Sequence, residues 1–418
     1  MTNQSLGQRV LSRPEFIALV AALMALNALA IDVMLPALPY MGEDLGVDNE
    51  NERQLVVSAY MIGFGLAQLA FGPLTDRFGR RAPLFFGIGL YVVCAFAATF
   101  APTFAILLGL RFVQGLGAAS TRVIATSIVR DRFSGREMAE VMSLTFMVFM
   151  AIPIVAPGIG QIILLTGPWH YIFLFMAGLS AAIWVWAWFR LPETLHPEYR
   201  RELKLSVIVE GFRMVFTNRV AFFYGLAGMF LFGAMFGFII STQQIFVGIY
   251  GLGPWFPLAF ATMAGFMAVS SFLNSRIVKH FGMRRLSHTA MLVYVTCAVI
   301  LLVLSLTMSV VPFWLFFLLL MIIQVSFGNA ASNMNSLSME PLGAVAGTAA
   351  SVFGFCQTVG GAILGTFIGQ QFNGTLTPNA TGYVVMGTLV LCCVLIAEKG
   401  KLFGVGKEYE RPATAAAE

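Results

Sequence analysis

Long apolar segments recur along nearly the whole chain, and their length constrains the fold more than any other feature. Twelve can be read in the sequence, near 15–38, 53–74, 82–101, 104–129, 138–165, 169–190, 220–248, 255–278, 287–308, 312–335, 342–370 and 380–398. Each could cross about 30 Å of hydrocarbon as a helix. With 58% hydrophobic and 11% charged residues, the composition excludes an ordinary soluble domain. The sequence therefore predicts an all-α polytopic membrane protein with 12 transmembrane helices.

Basic residues are concentrated in every second connection between these segments. They precede segment 1, follow segments 2, 4 and 8, surround the loop after segment 6 and end the chain. By the positive-inside rule these connections are cytoplasmic, so both termini are predicted inside a plasma membrane, expected to be a bacterial inner membrane. The net charge of +5 then reflects topology and contact with membrane lipid, and no nucleic-acid partner is expected.

One polar connection divides the segments into two groups of six. We predict an N-terminal six-helix bundle over 1–190, a cytoplasmic linker over 191–218, a C-terminal six-helix bundle over 219–400 and a cytoplasmic tail over 401–418. A weak repeat supports this division, because GPLTDRFGRR at 72–81 and SRIVKHFGMR at 275–284 close corresponding segments of the two halves. Two related, pseudo-symmetric halves are typical of transporters that bind their substrate near the midplane of the membrane.

Asp32 is the only acid deep inside any of the apolar segments, away from their ends. A charge in hydrocarbon costs several kcal/mol unless it is protonated or paired, and such residues usually mark transport pathways. Counting along the helices puts Asp32 roughly 9 Å below the outer end of segment 1, and Arg111 roughly 12 Å below the outer end of segment 4. The two could therefore pair. A proton carrier and a purely structural ion pair are both compatible with this placement.

Several motifs resemble the major facilitator superfamily. GPLTDRFGRR at 72–81 resembles its motif A, and LRFVQGLGAA at 110–119 resembles its motif B. IDVMLPALP at 31–39, LPETL at 191–195, FLNSR at 272–276 and AGTAAS at 346–351 resemble the Bcr/CflA branch of bicyclomycin and chloramphenicol resistance-like drug:proton antiporters. The resemblance implies the two-bundle fold of that superfamily and a proton-coupling pair formed by Asp32 and Arg111.

The resemblance also implies a conformational gate. Its residues would be Gly72, Asp76, Gly79, Arg80, Asp131, Pro157 and Gly160. A carboxylate at Asp76 would be attracted to the positive N-terminus of the eleventh predicted segment, 342–370, while Arg80 and Asp131 would complete a charge network. APGIGQ at 156–161 is similar to the antiport motif C, from which Ala156 and Gln161 depart.

Arg122 follows Arg111 by about three helical turns and lies on nearly the same face. It either meets an anionic or zwitterionic substrate in the cavity or snorkels towards the cytoplasmic headgroups beside Arg130. Other polar residues could line the cavity or form interhelical hydrogen bonds. Those assigned to substrate binding with Arg122 are Asn27, Tyr60, Gln114, Gln243, Gln244, Asn329, Asn333 and Gln357.

These observations favour a proton-coupled secondary transporter that exports small amphiphilic compounds, drug-like or metabolic, by alternating access. Uptake of an anionic metabolite or cell-wall fragment by proton symport is the alternative. An enzyme is not expected, because an intramembrane aspartyl protease needs two acids and the histidines lie at segment ends or in loops. No cofactor or metal site is predicted, the energy source is the proton gradient, and a monomer is expected.

Overall fold

The structure, a computed structural model, describes residues 11–196, 198 and 205–403. Every regular element in these ranges is helical, which confirms the predicted all-α fold. Eleven helical spans among the described residues are long and apolar enough to cross a membrane. The remaining predicted segment lies in a 32-residue helix whose side chains are only partly described. Most of the predicted tail, 401–418, lies outside the described residues.

The helices before the central connection are α1 (Arg13–Asp32), α2 (Leu38–Asp44), α3 (Glu50–Arg53), α4 (Leu55–Phe78), α5 (Arg81–Ala98), α6 (Phe104–Arg132), α7 (Gly135–Thr166) and α8 (His170–Arg190). Those after it are α9 (Leu205–Thr217), α10 (Arg219–Gln243), α11 (Phe256–Phe281), α12 (Met283–Thr307), α13 (Phe313–Met339), α14 (Ala346–Phe355), α15 (Gly361–Gln370) and α16 (Thr377–Ala397). Helices α1–α8 pack together as one half, and α10–α16 pack together as the other.

Ion pairs and hydrogen bonds gather the basic connections of the first half at one end, here called the basic end. Arg190 bonds to Glu15 near the start of α1, and Arg132 donates to the carbonyl of Leu11 over 3.1 Å. The opposite end carries Asp44 and the acidic helix α3, and is here called the acidic end.

The turn after α4 and the turn after α11 have the same backbone geometry. Gly79 adopts φ +87° and Gly282 adopts φ +79°, a region that favours glycine because it lacks a Cβ. Both residues stand in the Phe-Gly pair of the internal repeat at the basic end. The repeated sequence therefore corresponds to a repeated local structure.

The first span is interrupted near its middle. Helix α1 ends at Asp32, a short 3₁₀ turn follows at Leu35–Ala37, and α2 then continues to Asp44. Pro36 and Pro39 explain the break, because proline donates no backbone hydrogen bond. The interruption leaves carbonyl groups at the end of α1 without helical partners.

Part of the predicted linker is also helical. Helix α9 (Leu205–Thr217) packs against α10 and α14. Val215 lies in a small apolar cluster with Leu342, Val352 and Phe353, and Phe212 packs against that cluster. The linker region is therefore partly docked on the second half.

The two halves meet along two helix pairs. Helix α4 packs against α14, α15 and the π-helical turn Cys356–Gly360 between them. Helix α7 packs against α11 on the other side.

Candidate functional site

Asp32 is the last residue of α1 and is buried, with 5% of its surface exposed. Among the described residues, no hydrogen bond or ion pair to its carboxylate is found. The C-terminus of a helix carries partial negative charge, which disfavours a second negative charge at that position. Both features favour a carboxyl group that binds a proton.

Arg111 is fully buried, and its guanidinium is held by the interrupted first span. It donates to the carbonyl of Ala30 over 2.8 Å, to that of Val56 over 3.3 Å and to Oε1 of Gln114 over 2.6 Å. The Tyr60 ring lies 4.4 Å from its central carbon. The predicted Asp32–Arg111 ion pair is not formed, because the carbonyls of Ala30 and Val56 and the Gln114 amide occupy the donors of Arg111.

Some of the residues predicted to bind substrate form hydrogen bonds within the first half, either between helices or within one helix. Tyr60 donates to Asn27 over 3.0 Å, and both side chains are buried between α4 and α1. Gln114 is buried and bonds to Arg111. These three side chains hold Arg111 and the adjoining helices in place.

Helix α7 crosses the interrupted span at Gly160. A Cβ added to Gly160 would clash with the carbonyl oxygen of Val33 and lie 3.5 Å from Cδ of Pro36. Helix α7 runs through Pro157 without a break. The glycine of the APGIGQ segment thus allows α7 to lie directly on the residues that follow Asp32.

Among the residues predicted to bind substrate, Arg122 is the one that is exposed. Its guanidinium carbon lies 6.0 Å from the centre of the Phe64 ring on α4. Phe64 precedes the end of α4 at Phe78 by 14 residues, about 21 Å of helix. Arg122 precedes the end of α6 at Arg132 by 10 residues, about 15 Å. The side chain therefore points away from the basic end, which contradicts snorkelling.

The second half contributes a row of amides from α13. Asn333 donates to Asn274 of α11 over 2.9 Å, and Ser270 donates to Asn329 over 3.1 Å. Gln357 lies in the π-helical turn and packs against Gly228 of α10. Asn329 and Gln357 are half-buried, whereas Asn333 is buried.

Amide side chains close the acidic end between the halves. This amide clasp consists of Asn51, Gln54, Gln244 and Gln370. Asn51 donates to the Gln370 carbonyl over 3.0 Å, Gln370 donates to the Asn51 carbonyl over 2.6 Å, and Gln244 donates to Asn51 over 2.8 Å. Gln54 donates to Gln244. Gln244, predicted to bind substrate, thus belongs to the clasp, while Gln243 is half-buried beside it.

Two further hydrogen bonds join the halves nearer the middle of the membrane. Thr366 donates to Ser58 over 2.7 Å, and Gln68 donates to Thr358 over 3.1 Å. Closer to the basic end, Gly72 of the first half packs near Ser351 of the second. The halves are thus bonded from the acidic end to the middle.

The basic end of the first half contains the charge network that the resemblance implies. Arg80 is buried and bonds to Asp131 and Asp76, each over 2.7 Å. Burial lowers the pKa of Arg80, but the hydrogen bonds that it donates to Asp131 and Asp76 outweigh this and raise the pKa. Glu193 accepts from the backbone of Arg80 over 2.8 Å. Asp76 pairs here with Arg80. No hydrogen bond is found from Asp76 to the described part of α14, the helix that begins the eleventh predicted segment.

An analogous network lies at the basic end of the second half, where sequence reasoning did not predict one. Arg284 bonds to Glu398 over 2.8 Å and to Glu340 over 3.2 Å. Tyr224 donates to Glu398 over 2.8 Å and contacts His288 over 3.0 Å. Arg284 occupies the place of Arg81 in the internal repeat, and this correspondence is the sequence feature that could have indicated the second network.

Comparisons with known proteins agree with this architecture. The Major Facilitator Superfamily profile matches residues 20–397. A bicyclomycin resistance protein homolog of Haemophilus influenzae is 31% identical over 393 residues, covering 91% of this chain and 94% of that protein. A chloramphenicol resistance protein of Pseudomonas aeruginosa is 29% identical over 384 residues, covering 89% of this chain and 86% of that protein.

Solved structures share the fold at low sequence identity. A D-xylose-proton symporter superposes with a TM-score of 0.74 at 15% identity, covering 94% of this chain and all (100%) of that one. The human organic anion transporter MFSD10 superposes with a TM-score of 0.66 at 16% identity, covering 93% of this chain and 100% of that one. With a family profile that spans nearly every helix, the chain belongs to the Major Facilitator Superfamily.

Proposed function

We propose that this protein is a proton-coupled transporter that exports small amphiphilic compounds by alternating access. Full-length similarity to proteins named for bicyclomycin and chloramphenicol resistance supports export of drug-like molecules. The protein would act as a monomer in a bacterial inner membrane, without a cofactor and without catalysing a reaction. The proton gradient would supply the energy.

We assign the basic end to the cytoplasm, together with both termini. The concentration of Arg at that end supports this orientation through the positive-inside rule. The amide clasp then closes the periplasmic side, and the hydrogen bonds found between described side chains of the two halves lie between that clasp and the middle of the membrane. This distribution supports an inward-facing conformation, the state that receives a compound for export.

Asp32 carries the coupling in this proposal. The supporting observation is that Asp32 is buried at a helix end without a bonded partner among the described residues. A proton is then the simplest means of neutralising it, and rearrangement of the break between α1 and α2 would change its access to water. Each inward charge movement supplies about 2.3 kcal/mol per 100 mV of membrane potential.

Asp32→Asn tests this assignment in inside-out vesicles. Uptake of chloramphenicol into the vesicles, driven by an acid interior, is expected to fall at least about tenfold, because the amide cannot exchange a proton. Asp48→Asn is the matched control, since Asp48 is an exposed acid at the acidic end. Correct insertion is checked by the yield and the elution profile of the purified variant. Unchanged pH-driven transport by Asp32→Asn would disprove the coupling role.

Uptake by proton symport remains the second candidate, because Arg122 could bind an anionic metabolite and Gln161 departs from the antiport motif. Proteoliposomes of known orientation separate the two directions. With an imposed pH gradient, an antiporter accumulates substrate on the acidic side of the membrane, whereas a symporter accumulates it on the opposite side.

A further inference from the structure

Arg122 lies in the middle of the molecule, at the edge of the interface between the halves. Its guanidinium stands next to Phe64 on α4. The following residue of α4, Gly65, is packed against Thr358 and Val359 of the second half, and Gln68 one turn further bonds to Thr358. The charged group is thus close to the surface where α4 meets the second half.

The donors of Arg122 are unused, in contrast to those of Arg111. Among the described residues, the Arg122 side chain makes no hydrogen bond and no ion pair, and its guanidinium lies beside the Phe64 ring. Arg111 bonds to three acceptors and is fully buried, so it cannot receive a ligand. A planar guanidinium with free donors matches the geometry of a carboxylate.

The exposed face of Arg122 is directed towards water rather than lipid. Arg122 and Arg130 are exposed on α6, with half-buried Thr126 between them at four-residue intervals. In the same half of the membrane, α13 exposes Ser332 and Asn335. Charged and polar groups rarely face hydrocarbon, so these residues indicate an aqueous space between the halves that opens towards the basic end.

We propose that Arg122 binds the carboxylate of an amphiphilic anion or zwitterion whose apolar part lies beside Phe64. This inference rests on the proposed transport function and names the substrate class of the same interior site. Of the carboxyl and guanidinium groups in the membrane interior, Asp32 and Arg122 are those without a hydrogen bond or ion pair among the described residues. Arg111 contacts Ala30, two residues from Asp32, and Arg122 lies 11 residues further along α6, about 16 Å towards the basic end. A carboxylate at Arg122 therefore does not compete with the proton at Asp32.

Paired ligands that differ by one charged group test the proposal. Thermal shifts of purified full-length protein would be measured at pH 7 with chloramphenicol succinate against chloramphenicol, and with 2-naphthoate against 2-naphthamide. Wild-type protein is expected to bind each anion at least about tenfold more tightly than its neutral counterpart, because hydrogen bonds to charged groups are stronger than those between neutral groups. The preference should vanish in Arg122→Gln and persist in Arg122→Lys.

Arg130→Gln is the matched control, because Arg130 lies two turns along the same exposed face of α6. It should retain the preference for the anions. Equal affinity of wild-type protein for both members of each pair would overturn the proposal, as would a preference that survives Arg122→Gln. The Asp32→Asn transport assay uses uncharged chloramphenicol, so failure of the proposed function and failure of this inference are separate results.

Discussion

Arg111 and Arg122 show how two identical side chains on one helix face serve different purposes. Arg111 is enclosed by carbonyls of α1 and α4 and by the amide of Gln114. Removing one partner from such a buried charged group leaves unsatisfied atoms, which costs more than the bond contributes. Arg111 therefore stabilises the first half, and we expect its role in transport to be indirect.

Arg111→Lys is expected to destabilise the protein by roughly 3 kcal/mol, because one ammonium group cannot reach three separated acceptors and loses charged hydrogen bonds. The free energy of unfolding, measured by titration with a denaturing detergent, provides the test. Arg130→Lys is the control and should unfold like the wild type. Equal stability of Arg111→Lys and wild type would show that the three bonds contribute little.

Sequence reasoning at this scale identified the charged residues but not their partners. Asp32 and Arg111 were predicted to pair because they lie at similar depth. The pairing failed because Pro36 and Pro39 end α1 early, and the carbonyl of Ala30 then becomes an acceptor for Arg111. Depth can be counted along a helix, whereas the acceptors released at a break depend on where the chain turns.

The interruption between α1 and α2 is the element most closely tied to Asp32. Helix α7 is in contact with it at Gly160, where the carbonyl of Val33 fills the space that a side chain would need. Movement of α7 against α1 therefore acts directly on the residues beside Asp32. This contact gives the APGIGQ segment a physical role despite its departure from the antiport motif.

Gly160→Ala is expected to reduce transport at least about tenfold, since overpacking at a backbone contact costs roughly 1–3 kcal/mol and would displace the break. Gly158→Ala is a matched control in the same helix, because nothing lies within 4 Å of an added Cβ there. Initial transport rates, normalised to the amount of inserted protein, compare the two. Equal rates in both variants would show that the α1–α7 contact is not needed.

Prediction of the elements succeeded for the long segments and failed for the short ones. The span boundaries follow from apolar length, and the Phe-Gly repeat correctly marked the turns at Gly79 and Gly282. The 13 residues of helix α9 fall within the predicted linker 191–218, which is assigned as a connection because it is polar. Its apolar residues pack on the second half, which only the tertiary structure reveals.

At the scale of the whole molecule, hydrogen bonds between the halves are distributed unevenly. The amide clasp joins the acidic ends, and the Ser58–Thr366 and Gln68–Thr358 bonds extend the contact to the middle. The charge networks of Arg80 and Arg284 each remain within one half. Opening towards the acidic end must therefore break amide and hydroxyl hydrogen bonds.

Gln244→Ala removes two bonds of the amide clasp and is expected to favour opening of the acidic end. At about 1 kcal/mol net for each hydrogen bond, the open population should rise roughly tenfold or more. Labelling of Ser58→Cys by a membrane-impermeant maleimide, in a background without the native cysteines, reports the opening.

Gln371→Ala is the control, because this exposed residue lies next to the clasp without a side-chain hydrogen bond in the described structure. It should leave the labelling rate unchanged. An unchanged labelling rate in Gln244→Ala would exclude the clasp as a barrier to opening.

The overall architecture was the most predictable property of this chain. Apolar length, alternating basic connections and ordered motifs together predicted the superfamily and its two-bundle fold, and both are confirmed. The amide clasp was not predicted, because it joins Asn51 and Gln54 to Gln244 and Gln370 from two distant parts of the chain, and no local pattern connects them.

Because the clasp is made of neutral amides, the stability of its hydrogen bonds should change little with the ionic strength or the pH of the surrounding medium. A closure built from carboxylate and guanidinium groups would loosen in concentrated salt, where ions screen exposed charges. Closure of the acidic end should therefore be equally stable in dilute, saline or mildly acidic surroundings.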